Sequence, residues 1–407
     1  MNKCVDVLLG LQFGDEGKGK IVDLISTNYD IVARFAGGNN AGHTLNFNGT
    51  KHVLHLIPSG IFHDCMNVIG NGCVIDPIAL MKEITVLEAM GIDVKSKLLI
   101  SNKAHITMPW HKEIDKLLEE AKGENKIGST LKGIGPTYTS KVSRDGFRIG
   151  SVSNLNEEII EKTLQNLASD YDYDYQTPEF LNFVKALTTL TKYQISHTEL
   201  YLNKAIKQGK RILAEGAQGA LLDIDFGTYP FVTSSNTCIG GVMTGLGIPP
   251  QSINRVIGIT KAYCTRVGSG PFLTEQENET GEKIRKIGNE FGSTTGRPRR
   301  CGWLDLVALE YACMLNGVTE LALMKIDVLS EMDTIKVCVA YDNGVPIYRD
   351  FEGWNEDISR LKYFEELPEN CKIFVNFVES TIEIKVNIIS VGADRIETIY
   401  NNEIFTI

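Results

Sequence analysis

No stretch of the sequence reaches the ~18 apolar residues a helix needs to cross a bilayer, which excludes a membrane-spanning helix. Nine cysteines and seven histidines are present, but there is no Cys-x-x-Cys pair and no His/Cys group at zinc-ligand spacing. An odd number of cysteines without a pairing pattern reads as reduced, buried thiols in a cytoplasmic protein. Basic charge is not in excess. The 51 acidic and 41 basic side chains leave a formal charge of −10, which argues against a general nucleic-acid binder. Internal repeats and low-complexity linkers are missing too. With 43% hydrophobic and 23% charged residues, the composition excludes disorder and coiled coil. The opening segment, Met1 to Gly10, reads as a strand with a charge inside it and not as a signal peptide. The 407 residues suffice to bury about three quarters of the chain's surface without disulfides or metal staples. Length alone suggests two to three domains of ~150 residues.

Strand-like runs are predicted at Val5–Leu9, Ile31–Phe35, Val53–Ile57, Asn67–Ile69, Arg211–Ala214, Val256–Ile259 and Leu321–Lys325. Helical spacing covers Lys20–Ser26, Pro77–Met90, His111–Ala121, Glu157–Ala168, Thr177–Thr191 and Leu304–Leu315. Strand, glycine loop and helix in that order open an α/β unit. Near the end, Thr334–Tyr341 and Glu383–Val391 read as antiparallel strands, either an appended subdomain over about 330–407 or an edge of one sheet.

Gly14-Asp15-Glu16-Gly17-Lys18-Gly19-Lys20 fits the GxxxxGK phosphate-loop pattern between a strand and a helix. Inward-turned amides and the helix N-terminus suit a phosphate. Ile21 stands where a Ser or Thr ordinarily holds Mg²⁺, which leaves Asp15 as the metal ligand or as a base beside the phosphates. A second loop, Gly37 to Thr44, follows a strand, and its His43 suits a general acid. Leu323-Met324-Lys325-Ile326-Asp327 resembles a guanine reader, because a carboxylate at a strand end accepts both N1–H and N2–H₂ of guanine. Gly292 to Arg300 sets three arginines beside two threonines, a pattern for a small anion. Glu215-Gly216-Ala217-Gln218-Gly219 and Val232 to Thr237 supply amides and hydroxyls.

Taken together, GDEGKGK, NNAGHT, GIGPTY, EGAQGALLDIDFGTYPFVTSSNT, KAYCTRVGSGPF and STTGRPRRCGWLD resemble the adenylosuccinate synthetase family over nearly the whole length. The resemblance implies one large α/β domain over residues 1–407, built on a central, mainly parallel sheet flanked by helices. It implies ligation of IMP with L-aspartate, using GTP and Mg²⁺, through 6-phosphoryl-IMP, as the first committed step of AMP biosynthesis in the cytoplasm. By position in the family's motifs, Asp15, His43 and Lys18 are the catalytic group. Asp15, Lys18, Asn40, His43, Thr130, Gln218, Thr233 and Arg297 hold IMP, and Arg144 reaches the IMP phosphate of the neighbouring subunit of a homodimer.

The same resemblance gives GTP to Gly14, Glu16, Gly17, Lys18, Gly19, Lys20, Gly42, Thr44, Arg299, Lys325, Asp327, Ser390 and Gly392. Aspartate falls to Ser293, Thr294, Thr295, Arg297 and Arg299, and Mg²⁺ to Asp15 and the Gly42 carbonyl. The chain departs from the usual pattern at Asn39 (often His), at Leu131 and Lys132 (usually Gly and Arg), at Pro298 and at Ala393. Leu131 lacks a glycine's access to positive φ, so a turn of different shape is expected there. Two rivals carry less weight. A branch that accepts dGMP alters the loop carboxylate that Asp15 retains, and a GTP-dependent switch protein needs a hydroxyl at Ile21.

Overall fold

The computed structural model describes residues 3–47, 50–292 and 296–400. Among these, ten strands form one sheet: β1 (Val5–Gly10), β2 (Ile31–Arg34), β3 (Met66–Ile69), β4 (Leu98–Ser101), β5 (Gln194–Ser196), β6 (Ile212–Gly219), β7 (Ile253–Lys261), β8 (Glu320–Met324), β9 (Val386–Ser390) and β10 (Thr398–Tyr400). Their order is β10-β9-β8-β7-β1-β6-β2-β3-β4-β5. Every neighbouring pair is parallel except β9 with β10.

Parallel strands are buried on both faces and read as mostly apolar runs; all six residues of β1 are buried, including Asp6, which is paired with Arg255. The alternation of β1 divides the core. Val5, Val7 and Leu9 pack on one side, while Leu8 joins Ile21, Val22 and Ile25 of helix α1 (Lys18–Ile25) on the other. Burying those three α1 side chains contributes about 1.5–3 kcal/mol each, and it anchors the loop that precedes the helix. Ile21 is fully buried, so the position of the usual phosphate-loop hydroxyl is here part of the core.

Further helices include α2 (Pro77–Ala89), α3 (Pro109–Ala121), α4 (Ile134–Ser143), α5 (Glu157–Asp170), α6 (Pro178–Leu190), α7 (Glu279–Ile287) and α8 (Leu306–Asn316). No helix among the described residues is long and apolar enough to cross a membrane. All nine cysteines are unpaired thiols, and eight of them are buried.

The α/β class expected from the sequence is the architecture observed. Two segments differ. The run expected as a strand over Val53–Ile57 is strand only to Leu54, within an antiparallel hairpin of His43–Phe47 and Thr50–Leu54 outside the central sheet. Pro58 follows closely and has no N–H to donate. The second difference lies in Glu383–Val391, which is antiparallel to β10 but is not a partner of Thr334–Tyr341. Its core, β9, pairs parallel with β8 and is wholly buried. Thr334–Asp342 instead pairs with Val345–Glu352 in a separate four-stranded sheet with Tyr263–Arg266 and Arg300–Asp305. A strand's partner is a long-range choice that local pattern does not encode.

Candidate active site

The carboxyl ends of β1, β6, β7, β8 and β9 open onto a cleft of about 820 Å³. In open α/β sheets ligands bind at this end, where the strand order reverses. The glycine loop leaves β1 here. Gly17 has φ 96°, a left-handed value at which a side chain is strained, and a Cβ on Gly19 would lie 2.9 Å from that of His43. Asp15 also has positive φ, 59°, which aspartate tolerates better than most residues. Glu16 turns inward and is fully buried. Its Oε1 accepts from the Gln12 and Gly14 amides at 3.1 and 2.9 Å, and its Oε2 accepts from Lys18 Nζ at 2.5 Å. Its carboxylate therefore shapes the loop from within. Lys20 reaches across to the end of β9, donating to Ser390 Oγ at 2.8 Å and to the Gly392 carbonyl at 2.9 Å. Burial lowers its pKa to about 8.

The second glycine loop is held by Arg34, fully buried at the end of β2, which donates to the carbonyls of Gly38 (3.1 Å) and His55. His43 begins the hairpin that follows. Its Nδ1 lies 2.5 Å from Glu215 Oε1. Glu215, in the middle of β6, also accepts from Ser59 Oγ at 2.7 Å and from the Ser59 amide at 2.8 Å. Burial alone would raise the Glu215 pKa, but His43, Arg34 and Ser59 hold it below the ordinary value. Burial pushes His43 down. The pair is thus a carboxylate accepting Nδ1–H from a neutral imidazole, with the lone pair on Nε2. That Nε2 is buried and has no partner, and His43 lines the cleft with Asp15, Lys18 and Gln218.

Next to Met324 and Lys325, which line the cleft, Asp327 sits in a short turn after β8 and does not itself line it. Its Oδ1 is buried without a partner, and burial raises its pKa. An orphaned acceptor of this kind costs about 1–3 kcal/mol unless a ligand pairs with it. Lys325 points to Glu290 Oε1 (2.7 Å) and to the Gly288 carbonyl (2.7 Å). Arg299 bridges two carboxylates. Its Nε donates to Asp15 Oδ2 at 2.8 Å and its Nη1 to Glu290 Oε2 at 2.6 Å.

Of the remaining residues expected in the site, Asn40, Gly42, Thr44, Thr130 and Thr233 line the cleft, as do Gly14, Ser390 and Gly392. Arg297 is exposed and does not line it; its carbonyl accepts from the Gly292 amide at 2.8 Å, closing the arginine loop. Arg144 caps the end of α4, is exposed with φ 73°, and does not line its own cleft. Ser293, Thr294 and Thr295 lie outside the described residues. Glu215 as the partner of His43, and Glu290 with Lys261 and Tyr263 around it, were not singled out by sequence reasoning. The signal for Glu215 was a carboxylate directly after a predicted strand and beside a glycine. Glu290 carries no local signal.

Two departures resolve physically. Leu131 takes φ 56° despite its side chain, so the expected change of turn shape is replaced by the left-handed turn itself, held at a cost of about 1–2 kcal/mol. Leu131 is exposed, so little packing offsets that cost. Leu131→Gly is therefore expected to raise unfolding stability by about 0.5–1 kcal/mol, less than the strain because glycine gains entropy in the unfolded chain. A lower melting temperature in that variant would show that Leu131 is not strained. Asn39 is buried, donates to Asp76 Oδ2 at 3.3 Å and does not line the cleft. Lys132 reaches the same loop, donating to the Asn39 carbonyl at 2.7 Å.

Comparison with known proteins agrees with this geometry. Residues 7–399 match the family model described as adenylosuccinate synthetase. The adenylosuccinate synthetases of Flavobacterium johnsoniae and Christiangramia forsetii are each 52% identical, over 97% of this chain and 99% of theirs. A solved structure, fully ligated adenylosuccinate synthetase from Plasmodium falciparum, superposes with a TM-score of 0.91 at 41% identity, covering 98% of this chain and 100% of that one. Cyanophage S-2L succinoaminodeoxyadenylate synthetase, solved with dGMP and dATP, shares the fold with a TM-score of 0.67 at 20% identity. The chain belongs to the adenylosuccinate synthetase family, ligases that form a C–N bond between IMP and aspartate in a GTP-dependent step of AMP biosynthesis.

Proposed function

We propose that the cleft performs this ligation in two steps, with Asp15 and His43 at the reacting atoms. Asp15 takes the N1 proton of IMP, and O6 then attacks the γ-phosphorus of GTP. The bond to the β–γ bridging oxygen breaks, GDP leaves and 6-phosphoryl-IMP is formed. The amine of L-aspartate next attacks C6, the C6–O6 bond breaks, and phosphate departs while the amine's proton passes to it or to solvent, giving adenylosuccinate. His43 presents Nε2 to the transferring phosphoryl group and, once Nε2 has taken up a proton to give the imidazolium beside Glu215, stabilises or protonates the phosphoryl oxygen. The observation that carries this reading is that orphaned Nε2, buried on the cleft wall while its other nitrogen is fixed by Glu215. Phosphoryl transfer is mostly positioning and charge stabilisation, which suits a site of lysines, arginines and amides.

IMP lies against Lys18, Asn40, Thr130, Gln218 and Thr233 in this reading, with Arg297 near it. GTP runs from the glycine loop to Lys325, Asp327, Ser390 and Gly392, where the unpaired Asp327 Oδ1 accepts from guanine. Aspartate binds in the loop from Ser293 to Arg299. Mg²⁺ suits the donors present: it is held through one or two carboxylates together with substrate phosphates, and Asp15 and Gly42 both line the cleft. Bound there by Asp15 and the Gly42 carbonyl, it would neutralise charge on the phosphoryl oxygens. Among the described residues no group of three or more His, Cys, Asp or Glu gathers to form a closed metal cage. The unpaired thiols suit a cytoplasmic protein.

The deciding experiment is phosphate release by the purified protein with Mg²⁺, GTP, IMP and aspartate, omitting each in turn. Release should require all four and should fail with ATP for GTP or dGMP for IMP. Release with GTP alone would point to a switch-like GTPase, and activity only with dGMP would reassign the purine pocket. The exposed Arg144, which does not line its own cleft, supports a homodimer in which each copy completes its partner's IMP site. Arg144→Leu is then expected to raise the KM for IMP at least tenfold and leave the KM for GTP within twofold. Unchanged IMP affinity would remove the shared site.

A further inference from the structure

Glu290 is a buried carboxylate behind the cleft wall that accepts from four side chains. It follows α7, is fully buried, and its Oε1 accepts from Lys261 Nζ at 2.9 Å, Lys325 Nζ at 2.7 Å and Tyr263 Oη at 2.5 Å. Its Oε2 accepts from Arg299 Nη1 at 2.6 Å. These partners come from the end of β7, the end of β8 and the segment that closes the arginine loop, so one side chain ties together three elements distant in sequence. Its backbone reinforces the arrangement, because the Arg299 amide donates to the Glu290 carbonyl at 2.9 Å. Burial would raise its pKa, but Lys261, Lys325 and Arg299 hold it well below the ordinary carboxylate range. It is therefore charged throughout the working pH range.

The ion pairs about this group join three cations, Lys261, Lys325 and Arg299, to two carboxylates, Glu290 and Asp15. Lys325 and Arg299 both line the cleft, while Lys261 and Glu290 lie behind them. A buried salt bridge is weak evidence for stability, since desolvation offsets most of its attraction. Its value here is geometric. Without Glu290, three cations would repel one another within a few ångströms, and Arg299 would keep only Asp15 as a carboxylate partner.

We infer that Glu290 is a positioning residue for the reaction: it holds Lys325 at the base end and Arg299 beside Asp15 as one unit, and so couples nucleotide binding to the reacting carboxylate. The inference rests on the proposed reading of the Lys325–Asp327 end as the guanine site.

The test is Glu290→Gln, which keeps the shape and removes the charge. Its KM for GTP should rise about tenfold or more, its KM for IMP should stay within threefold, and kcat should fall. Lys325→Met and the double variant complete a cycle: if Glu290 acts through Lys325, the double variant has the KM for GTP of Lys325→Met to within twofold. Multiplying effects, or equal rises in both KM values, would overturn the inference. So would a lower melting temperature with unchanged kinetics, the mark of a purely structural role. Asp327→Asn, measured in parallel, separates the two readings. No change in its KM for GTP removes the guanine site itself, whereas a change there with none in Glu290→Gln removes only the role of Glu290. Should Glu290→Gln fail to fold, Tyr263→Phe deletes one donor and leaves every charge. It should raise the KM for GTP about threefold with IMP unaffected, and unchanged KM values would overturn the inference.

Discussion

Asp15→Asn is expected to lower kcat for phosphate release about 10³-fold while leaving the fold and IMP binding nearly intact. Removing a positioned general base typically costs 10²- to 10⁴-fold, and a metal ligand is lost with it. Asparagine is the informative replacement for three reasons. It tolerates the left-handed φ of 59° that Asp15 adopts, which alanine would hold only with strain. Its Oδ1 still accepts from Arg299 Nε, which pairs with Asp15 Oδ2 at 2.8 Å. Arg299 also keeps Glu290, so no buried cation is stranded. Asp15 is one third exposed, so the loss of its ion pair contributes little to stability. The measurement is steady-state phosphate release alongside calorimetric titration with IMP and with GDP. A fall in kcat of tenfold or less would show that another group takes the N1 proton. A collapse of IMP affinity equal to the fall in kcat would assign Asp15 to ground-state binding.

The Arg299 contact gives this prediction a second consequence. In this structure the proposed base is engaged by the Arg299 guanidinium, so for Asp15 to act on IMP and hold a metal that contact must be exchanged for substrate and metal. The exchange is favourable only if the ligands supply new partners for Arg299, and the nucleotide phosphates and the aspartate carboxylates are suitable ones. That arrangement favours ordered assembly of the site over reaction with a partial set of substrates, in keeping with the expected need for all components.

The parts of this site that were legible in sequence share one property: each lies in a short segment whose chemistry is local. A strand of apolar residues followed by glycines and a lysine defines the first loop, and Asp15 and Lys18 stand out within it. His43 stands out between glycine and threonine, and Asp327 follows the β8 strand. What was not legible depends on convergence. Glu290, Lys261, Lys325 and Arg299 meet only because β7, β8 and the arginine loop are brought to one end of the sheet. Glu16 belongs to the most recognisable motif in the chain, yet its burial under Gly10 and Gly219 follows from how the loop folds back on β6. Asn39 lies beside Asn40 and turns the other way because Asp76, the cap of α2, is there to accept from it. The fold behaves likewise. The apolar run at Val386–Ser390 was readable as a strand, but its parallel pairing with β8 was not.

Glu215→Gln should be the second most damaging change, although glutamine is isosteric and Glu215 is not expected to touch substrate. The carboxylate accepts from three donors: His43 Nδ1–H, Ser59 Oγ–H and the Ser59 amide. An amide offers one oxygen and two N–H groups in the same space. With its oxygen toward His43, its NH₂ faces the Ser59 amide, and a buried donor is left unpaired at about 1–3 kcal/mol. Turned the other way, it donates to Nδ1, and His43 must carry its proton on Nε2 in the neutral form. In either orientation the imidazolium loses the negative charge beside it. His43 is already pushed down by burial, so the protonated form needed to stabilise the transferring phosphoryl oxygen becomes scarcer still. The expected result is a fall in kcat of about 10²–10³-fold, within the range for general acids. The basic limb of the kcat–pH profile should move to lower pH, because a required acid with a lower pKa is lost earlier as pH rises. Ser59→Ala removes one donor and leaves the carboxylate charged, so it should cost less than tenfold in kcat without moving the limb. If Glu215→Gln reduced stability but left the position of that limb unchanged, His43 would not act through a protonated Nε2. Its place on the cleft wall would then be one of binding alone.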